Sequence, residues 1–329
     1  MSANAAKRLL QHYVDNFRRL PWRSPPSSPP PDPYRVWLSE VMLQQTTVAA
    51  VTPRFLRFVE RWPSVAALAA APEADVLQEW AGLGYYARAR NLIACAREVA
   101  ARGGFPEDEA ALRQLPGIGA YTAAAIAAIA FGKQATPVDT NVERVAARLH
   151  ALTDKAEIRS AAEAMTPVGR AGDFAQAMMD LGARICRSKA PLCPTCPLVT
   201  DCRAFTLGTP ETFPAAKARR TRPRRHGLAW WIERDGCVWL VRRPGKGLLG
   251  GMAALPGPEW QDEPIAGHAI AKVRHVFTHF ALELAVIPAT GVQGEGWWQP
   301  IERLADAGLP TLYSRAAEAV LAERPALAA

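Results

Sequence analysis

Apolar residues at Leu9, Leu10, Tyr13, Val14 and Phe17 fall on one face of a 3.6-residue repeat and predict an amphipathic first helix. Leu20 to Arg23 (LPWR) then leads into SPPSSPPPDP, a run that supports neither a helix nor a sheet ladder and predicts an exposed loop. From Tyr34 to about Arg203 helical periodicity dominates. Breaks are predicted at Pro53, Pro63, Pro72, Gly82, Gly84, Gly103, Gly104, Pro116, Gly132, Pro137 and Pro167. Helices of moderate length joined by short turns predict an orthogonal bundle. At Gly227 the pattern changes. AWWIE and CVWLVRR flank Arg234-Asp235-Gly236 and predict a β-hairpin. HVFTHFALELAVIP predicts one further strand, and a last helix is predicted near Ser314 to Glu323. The fold class expected is a mainly α N-terminal region, residues 1–210, followed by a smaller α+β domain, residues 227–329. Residues 211–226 read as a linker. Its basic stretch Phe213 to Arg225 (FPAAKARRTRPRR) suits either a tether or a strap that touches phosphates.

At 329 residues the chain is long enough for two domains with cores of their own, and 49% apolar with 21% charged residues is a globular composition. A net charge of +8 and a pI near 9.4 suit a polyanionic partner, or simply a basic soluble surface. No apolar stretch is long enough to cross a bilayer, and MSANAAKRLLQHYVDNF lacks a signal-peptide layout. The expected location is therefore the cytosol, or the nucleoid of a bacterium. Thiols are reduced there, which makes the six cysteines better metal ligands than disulfide partners. Four of them form Cys186-x6-Cys193-x2-Cys196-x5-Cys202, with Pro191, Pro194 and Pro197 stiffening the loop. This spacing suits tetrahedral zinc or a cubane iron–sulfur cluster, and does not choose between them. Cys95, in a helical pattern, and Cys237, in a strand pattern, read as packing residues.

The stretch Leu115 to Val145 (LPGIGAYTAAAIAAIAFGKQATPVDTNVERV) reads as a tight turn, an Ala-rich helix and an Asp at the mouth of another helix. Gly117 and Gly119 can adopt positive φ and admit a second backbone, and the amides that open the helix are free to face a DNA phosphate. Asp139 precedes Thr140 and Glu143, which have capping-box spacing, so a purely structural role at a helix N-terminus is available to it. The same position favours an ionised carboxylate. Glu40 has Val36, Trp37 and Leu43 as helical neighbours, an apolar setting that should raise its pKa. It could equally be a Glu at the edge of a buried face.

The cysteine spacing, LPGIGAYTA and PVDTNVERV together resemble the helix-hairpin-helix DNA glycosylase superfamily with a 4Fe–4S cluster, which includes endonuclease III. Residues 34–51 (YRVWLSEVMLQQTTVAAV) and 82–92 (GLGYYARARNL) resemble its MutY branch, the adenine DNA glycosylases. The resemblance is dense over residues 7 to about 205 and looser beyond. It implies a base excision repair hydrolase that removes adenine mispaired with 8-oxoguanine or guanine in double-stranded DNA, acting as a monomer away from membranes. It implies Glu40 as general acid and Asp139 as stabiliser of the sugar cation with Asn141 as helper. It implies a structural 4Fe–4S cluster on Cys186, Cys193, Cys196 and Cys202, within an iron–sulfur loop 186–202. Tyr121 stands where endonuclease III carries the Lys that forms a Schiff base, so base removal without strand cleavage is expected.

Gln45 and Tyr85 match residues that wedge into the base stack, although a Tyr-Tyr pair is also common in cores. Trp22 and Arg23 match the edge of the adenine pocket, or form a structural Trp beside a solvated Arg. The C-terminal domain resembles the Nudix fold that this branch uses for lesion recognition. Phe277, Thr278 and His279 stand where a Phe-Ser-His triplet contacts 8-oxoguanine, or belong to an ordinary strand with alternating faces. Gly245 to Gly251 (GKGLLGG) lacks the ending of a phosphate loop, and no clustered Glu ligands for magnesium follow it, so this domain should bind rather than hydrolyse. Thr140, where the family usually has Gly, is also found in endonuclease III. Two other readings remain: a glycosylase-lyase acting on oxidised pyrimidines, and a non-enzymatic DNA-binding iron–sulfur protein. Absence of Lys at position 121 and the reader domain argue against the first, and the two carboxylates against the second.

Overall fold

A computed structural model describes residues 3–215, 222–245, 247–264, 268–292 and 294–323. The chain forms two compact units, one from Met1–Pro72 and Arg90–Ala218, the other from Glu73–Ala89 and Arg219–Ala329. The segment of residues 73–89, which the sequence places inside the helical region, belongs to the second unit. The predicted linker lies partly outside the described residues, at 216–221, and its last residues, Arg224 and Arg225, already form a strand.

Thirteen α-helices are described: α1 (Ala3–Asp15), α2 (Pro33–Leu43), α3 (Val48–Arg61), α4 (Val65–Ala70), α5 (Glu73–Glu79), α6 (Ala87–Ala101), α7 (Glu109–Leu112), α8 (Ala120–Phe131), α9 (Thr140–His150), α10 (Lys155–Met165), α11 (Ala171–Arg184), α12 (Arg203–Thr206) and α13 (Thr311–Ala322). No described helix is long and apolar enough to cross a membrane.

Sequence punctuation explains most of the helix ends. Asp32 caps α2 by accepting the Tyr34 amide at 2.8 Å, and Pro33 fits the first turn because its missing N–H would have no partner there. Ser64, Asp108 and Asp154 cap α4, α7 and α10 in the same way. Pro53 departs from the expectation: it lies inside α3 rather than ending it. In α1, Leu9, Leu10 and Tyr13 are buried as predicted, but Val14 is exposed and Phe17 lies past the helix end, edge-on to Tyr13.

In the first unit, α8 is buried on every side from Thr122 to Ala130. Its Ala-rich sequence makes this possible, because small side chains let α2 and α11 come close. At Gly172 of α11 the backbones of α8 and α11 are close, so that a Cβ would fall 2.5 Å from the Ala128 carbonyl oxygen. α11 also packs against α1 and α9, around Leu9, Val145, Phe174, Met178 and Leu181. Burying these side chains contributes about 1.5–3 kcal/mol each.

The second unit contains two small sheets and α13. β1 (Arg224–Trp231), β2 (Glu233–Arg234), β3 (Cys237–Arg242), β4 (Ala253–Ala254), β5 (Ala271–Val276), β6 (Ala281–Pro288) and β7 (Gly296–Pro300) follow in order. One sheet runs β1-β6-β5, with β1 parallel to β6 and β5 antiparallel to it. In the other, β3 pairs with β2, β4 and β7. The Asp-Gly turn is present, with Asp235 and Gly236 both at positive φ as a two-residue hairpin demands. The ladder across it is short, however: Glu233 and Arg234 pair with Val238 and Cys237, and the Trp239 amide donates to Ile232 O at 2.9 Å, while the Trp-rich run ahead of them crosses to the other sheet. The single strand predicted from HVFTHFALELAVIP is instead β5, a four-residue turn and β6, closed by the Phe277 amide donating to Phe280 O at 2.9 Å. Val273, Leu284, Val286, Tyr313, Ala316 and Val320 belong to the core that the sheets share with α13.

Candidate active site

A cavity of about 940 Å³ opens in the first unit between α2, the turn before α8, the start of α9, and α11. Nine of the residues singled out from the sequence line it: Trp22, Arg23, Glu40, Gln45, Gly117, Gly119, Tyr121, Asp139 and Asn141.

Glu40 lies on the face of α2 turned to the core and is 8% exposed. Its pKa is pushed up to about 7. Burial is the largest cause; the Tyr121 hydroxyl works against it, the Asp139 carboxylate adds to it, and the Arg23 guanidinium lowers it. Tyr121 sits in the first turn of α8, and burial, then the charges of Glu40 and Asp139, hold it a neutral phenol well above its ordinary pKa. Its hydroxyl also donates weakly to Met179 Sδ at 3.7 Å.

Asp139 itself caps α9. One carboxylate oxygen accepts the amides of Asn141 (2.9 Å) and Val142 (2.7 Å), and the other accepts Asn141 Nδ2 (2.8 Å). The capping-box spacing of Thr140 and Glu143 is therefore not what caps the helix; the cap lies one residue earlier. The chain is pinned here by Gly182 of α11, where a Cβ would fall 2.6 Å from Asn141 Cβ. Arg144 ties the same corner together, donating to Asn141 Oδ1 (2.8 Å), Gly182 O (2.7 Å) and Cys186 O (2.7 Å).

The remaining candidates divide. Gly117 takes φ +74° and packs against the Asn91 side chain, 2.7 Å from where its Cβ would be; a side chain, not a second backbone, comes close there. Gly119 does not take positive φ. It has φ −86° and starts α8 with its amides uncapped. Gln45 follows α2 in the left-handed region at φ +56°, a conformation uncommon for a residue with a Cβ. Trp22 is buried edge-on to Phe55, and Arg23 is not solvated but only 8% exposed, bound through two nitrogens to Asp180 at 2.7 and 3.1 Å. Burial opposes the Arg23 charge, but Asp180 outweighs it and its pKa lies above the ordinary value. Asp180, which also holds Arg18 at 3.1 Å, was not evident from the sequence; neither were Arg144, Gly182 and the buried Gln176. Asp180 follows Arg23 by more than 150 positions, and no periodicity links them.

Tyr85, Phe277, Thr278 and His279 belong to the second unit. Tyr85 is half exposed at φ +49°, with Arg88 over its ring and its hydroxyl 3.4 Å from Thr278 Oγ1. Thr278 and His279 are exposed at the tip of the β5–β6 hairpin, whereas Phe277 packs into a ring cluster with Trp260, His275 and Phe280. The triplet is thus a turn rather than an alternating strand. In the Gly-rich segment, Lys246 lies outside the described residues, and Gly247 and Gly251 take positive φ in a turn.

All four cysteines of the spaced motif line one further cavity, with Ile185, Pro191, Val199 and Phe205 among its apolar walls. Arg148, 2% exposed, closes the motif: it donates to Arg187 O (2.6 Å), Ser188 O (3.1 Å), Phe213 O (3.0 Å) and Cys186 Sγ (3.4 Å). Cys95 is fully buried, its thiol pushed up to about 12 by burial.

Residues 38–169 match the HhH-GPD superfamily of base excision DNA repair proteins, and residues 228–319 match the NUDIX domain. A protein named adenine DNA glycosylase from Arabidopsis thaliana is 37% identical over 75% of this chain. One of the same name from Mus musculus is 31% identical over 93% of this chain and 76% of its own length. A trapped endonuclease III–DNA covalent intermediate superposes with a TM-score of 0.53, at 26% identity, over 62% of this chain and 95% of that one. The chain spans about half the length of the plant and human relatives, 46% and 57%. With a helical scaffold shared with endonuclease III, a NUDIX domain behind it and adenine DNA glycosylases aligning along nearly all of it, the chain belongs to the adenine DNA glycosylase family of the HhH-GPD superfamily.

Proposed function

We propose that the protein removes adenine paired with 8-oxoguanine or guanine from double-stranded DNA by hydrolysis, and stops at the abasic site. The observation that carries this reading is a single cavity holding two unlike carboxyl groups. Glu40 is buried with a pKa raised to about 7, and Asp139 is gripped by three N–H donors at the positive end of α9.

Adenine leaves a sugar slowly unless a ring nitrogen is protonated. Glu40, neutral below about pH 7, donates that proton. As the C1′–N9 bond lengthens, positive charge spreads over C1′ and the ring oxygen, and the Asp139 carboxylate stabilises it. Asn141 and the two helix amides keep that carboxylate aimed. Water then adds to C1′. Tyr121 supplies no amine to trap the sugar, which supports hydrolysis over the lyase reading. Trp22 and Arg23, held by Phe55 and Asp180, form the pocket edge. Gln45, in the left-handed region, suits a wedge for the gap left by an extruded base; Tyr85 of the second unit, also in that region, is by itself a candidate of the same kind; and Gly117 and Gly119 suit a turn that meets backbone phosphate.

In this reading the first unit, Met1–Pro72 with Arg90–Ala218, cuts, and the second reads the lesion through Thr278 and His279 at an exposed hairpin tip. Phe277 instead stiffens that tip from below. The donor set of the cysteine cavity fits a 4Fe–4S cluster. Four thiols share one void with apolar walls and a buried guanidinium. Cys186, Cys193, Cys196 and Cys202 would hold it. A bound cluster contributes cross-linking of the 186–202 loop, not acid or base chemistry.

Free-base analysis of duplexes carrying adenine opposite 8-oxoguanine, adenine opposite guanine, or an oxidised pyrimidine tests the reading. Adenine from the first two is expected. Release of the oxidised pyrimidine, or of no base, overturns it.

A further inference from the structure

Behind the active-site cavity lies a second one, of about 320 Å³, roofed by the Pro-rich residues 24–31 and floored by α8 and α11. Ile129 and Gln176 line both cavities and so stand between them. α11 carries Asp173, Gln176 and Asp180 at i, i+3 and i+7, on one face. Asp173 lines the rear cavity, Gln176 lines both, and Asp180 lines the front. A polar stripe thus runs from one to the other, with an ion pair on each side of Gln176: Arg170–Asp173 at 2.6 Å and Arg23–Asp180 at 2.7 Å.

One detail leaves an unpaired polar atom beside this stripe. Tyr13, 3% exposed, lies within electrostatic reach of both ion pairs, yet its buried hydroxyl has no hydrogen-bond partner among the described residues. A buried hydroxyl in that position is ordinarily satisfied by water. Gln176, in turn, folds its amide nitrogen back onto the Gly172 carbonyl at 3.3 Å instead of bonding across the partition. Gly172 itself packs close on the α8 backbone at Ala128. Neither feature serves the pairing of Glu40 with Asp139.

We propose that water reaches the active-site cavity from the rear, entering beneath the Pro-rich loop and passing Ile129 and Gln176 along the polar face of α11. The proposal rests on the glycosylase reading. An extruded nucleotide would fill the open mouth of the cavity, while each turnover consumes one water. The C1′–N9 bond breaks first, with adenine leaving with the Glu40 proton; the water oxygen then bonds to C1′, and a proton of the water returns to the Glu40 carboxylate. A rear passage supplies that water while the DNA stays bound.

Competing nucleophiles test it. Wild type, Ile129→Ala, Ile129→Phe and Ser28→Trp are run in single turnover on an adenine:8-oxoguanine duplex, in methanol or 2-propanol mixtures, and the alkyl glycoside is measured against the abasic product. Ile129→Ala widens the partition and should raise the 2-propanol product on the order of tenfold, since methylene-scale changes in a pocket discriminate at that level. Ile129→Phe narrows it and should lower the methanol product. Ser28→Trp, at the exposed rear mouth and outside the core, should lower it with duplex affinity unchanged, which keeps the test valid if Ile129→Phe folds poorly. Equal alcohol-to-water ratios in every folded variant, with adenine still excised, overturn the passage and leave the glycosylase reading standing. A wild type that releases no adenine overturns both.

Discussion

Replacing Glu40 with Gln should make the protein less active and, at high pH, more stable. Burial and the nearby Asp139 carboxylate raise the Glu40 pKa from 4.5 to about 7. Below pH 4.5 the carboxyl is protonated in both the folded and unfolded chains and contributes no difference. Between 4.5 and 7 the unfolded chain loses its proton first, so folding stability falls as pH rises. Above 7 the folded protein holds a buried, charged carboxylate, at a penalty of about 3 kcal/mol. Glu40→Gln has no such charge. Urea unfolding at a series of pH values should show the variant matching wild type near pH 4.5 and exceeding it by about 3 kcal/mol above pH 7. Over the same range the wild-type single-turnover rate should decline as pH passes about 7, and the variant should be slower by roughly 10²–10⁴-fold. Parallel stability curves for the two proteins would refute the reasoning, because Glu40 would then not be held as the acid by burial.

Three further outcomes follow from the same geometry. Asp139→Asn keeps a capping side chain and should fold like wild type without activity, whereas Asp139→Ala should also lose about 1 kcal/mol in thermal unfolding. Gly182→Ala places a methyl against Asn141, 2.6 Å from its Cβ. It should destabilise by about 1–3 kcal/mol and slow excision by on the order of 10²-fold, read as a fall in kcat at little-changed duplex affinity. Arg148→Met deprives three carbonyls of their donor and should lower Tm, with a stability loss of at least about 3 kcal/mol, and reduce the visible absorbance of a bound cluster.

How legible the site was depends on whether the determining contacts are local. The burial of Glu40 could be read from Val36 and Trp37 one turn before it, and the position of Asp139 from the short sequence that opens α9. Both depend on neighbours within four residues. The Arg23–Asp180 pair, the fit of Gly182 against Asn141, and the bonds from Arg144 and Arg148 to the cysteine loop join distant segments with no periodic trace. The β5–β6 turn was missed for a different reason. FTHF contains no Gly, Pro, Asn or Asp; aromatic packing with Trp260 accompanies the turn instead. Gly119 was over-read, since a glycine also suits a helix cap at ordinary negative φ. The parallel pairing of β1 with β6 was invisible because its partner lies more than fifty residues further along the chain.

The central claim is that Glu40 and Asp139 release adenine and that the reaction then stops, because position 121 is Tyr. It is tested most directly on one duplex carrying adenine opposite 8-oxoguanine, heated after reaction with and without alkali. The account predicts breaks at the adenine position only after alkali, and none with Glu40→Gln. Breaks without alkali, or undiminished breaks with Glu40→Gln, would contradict it.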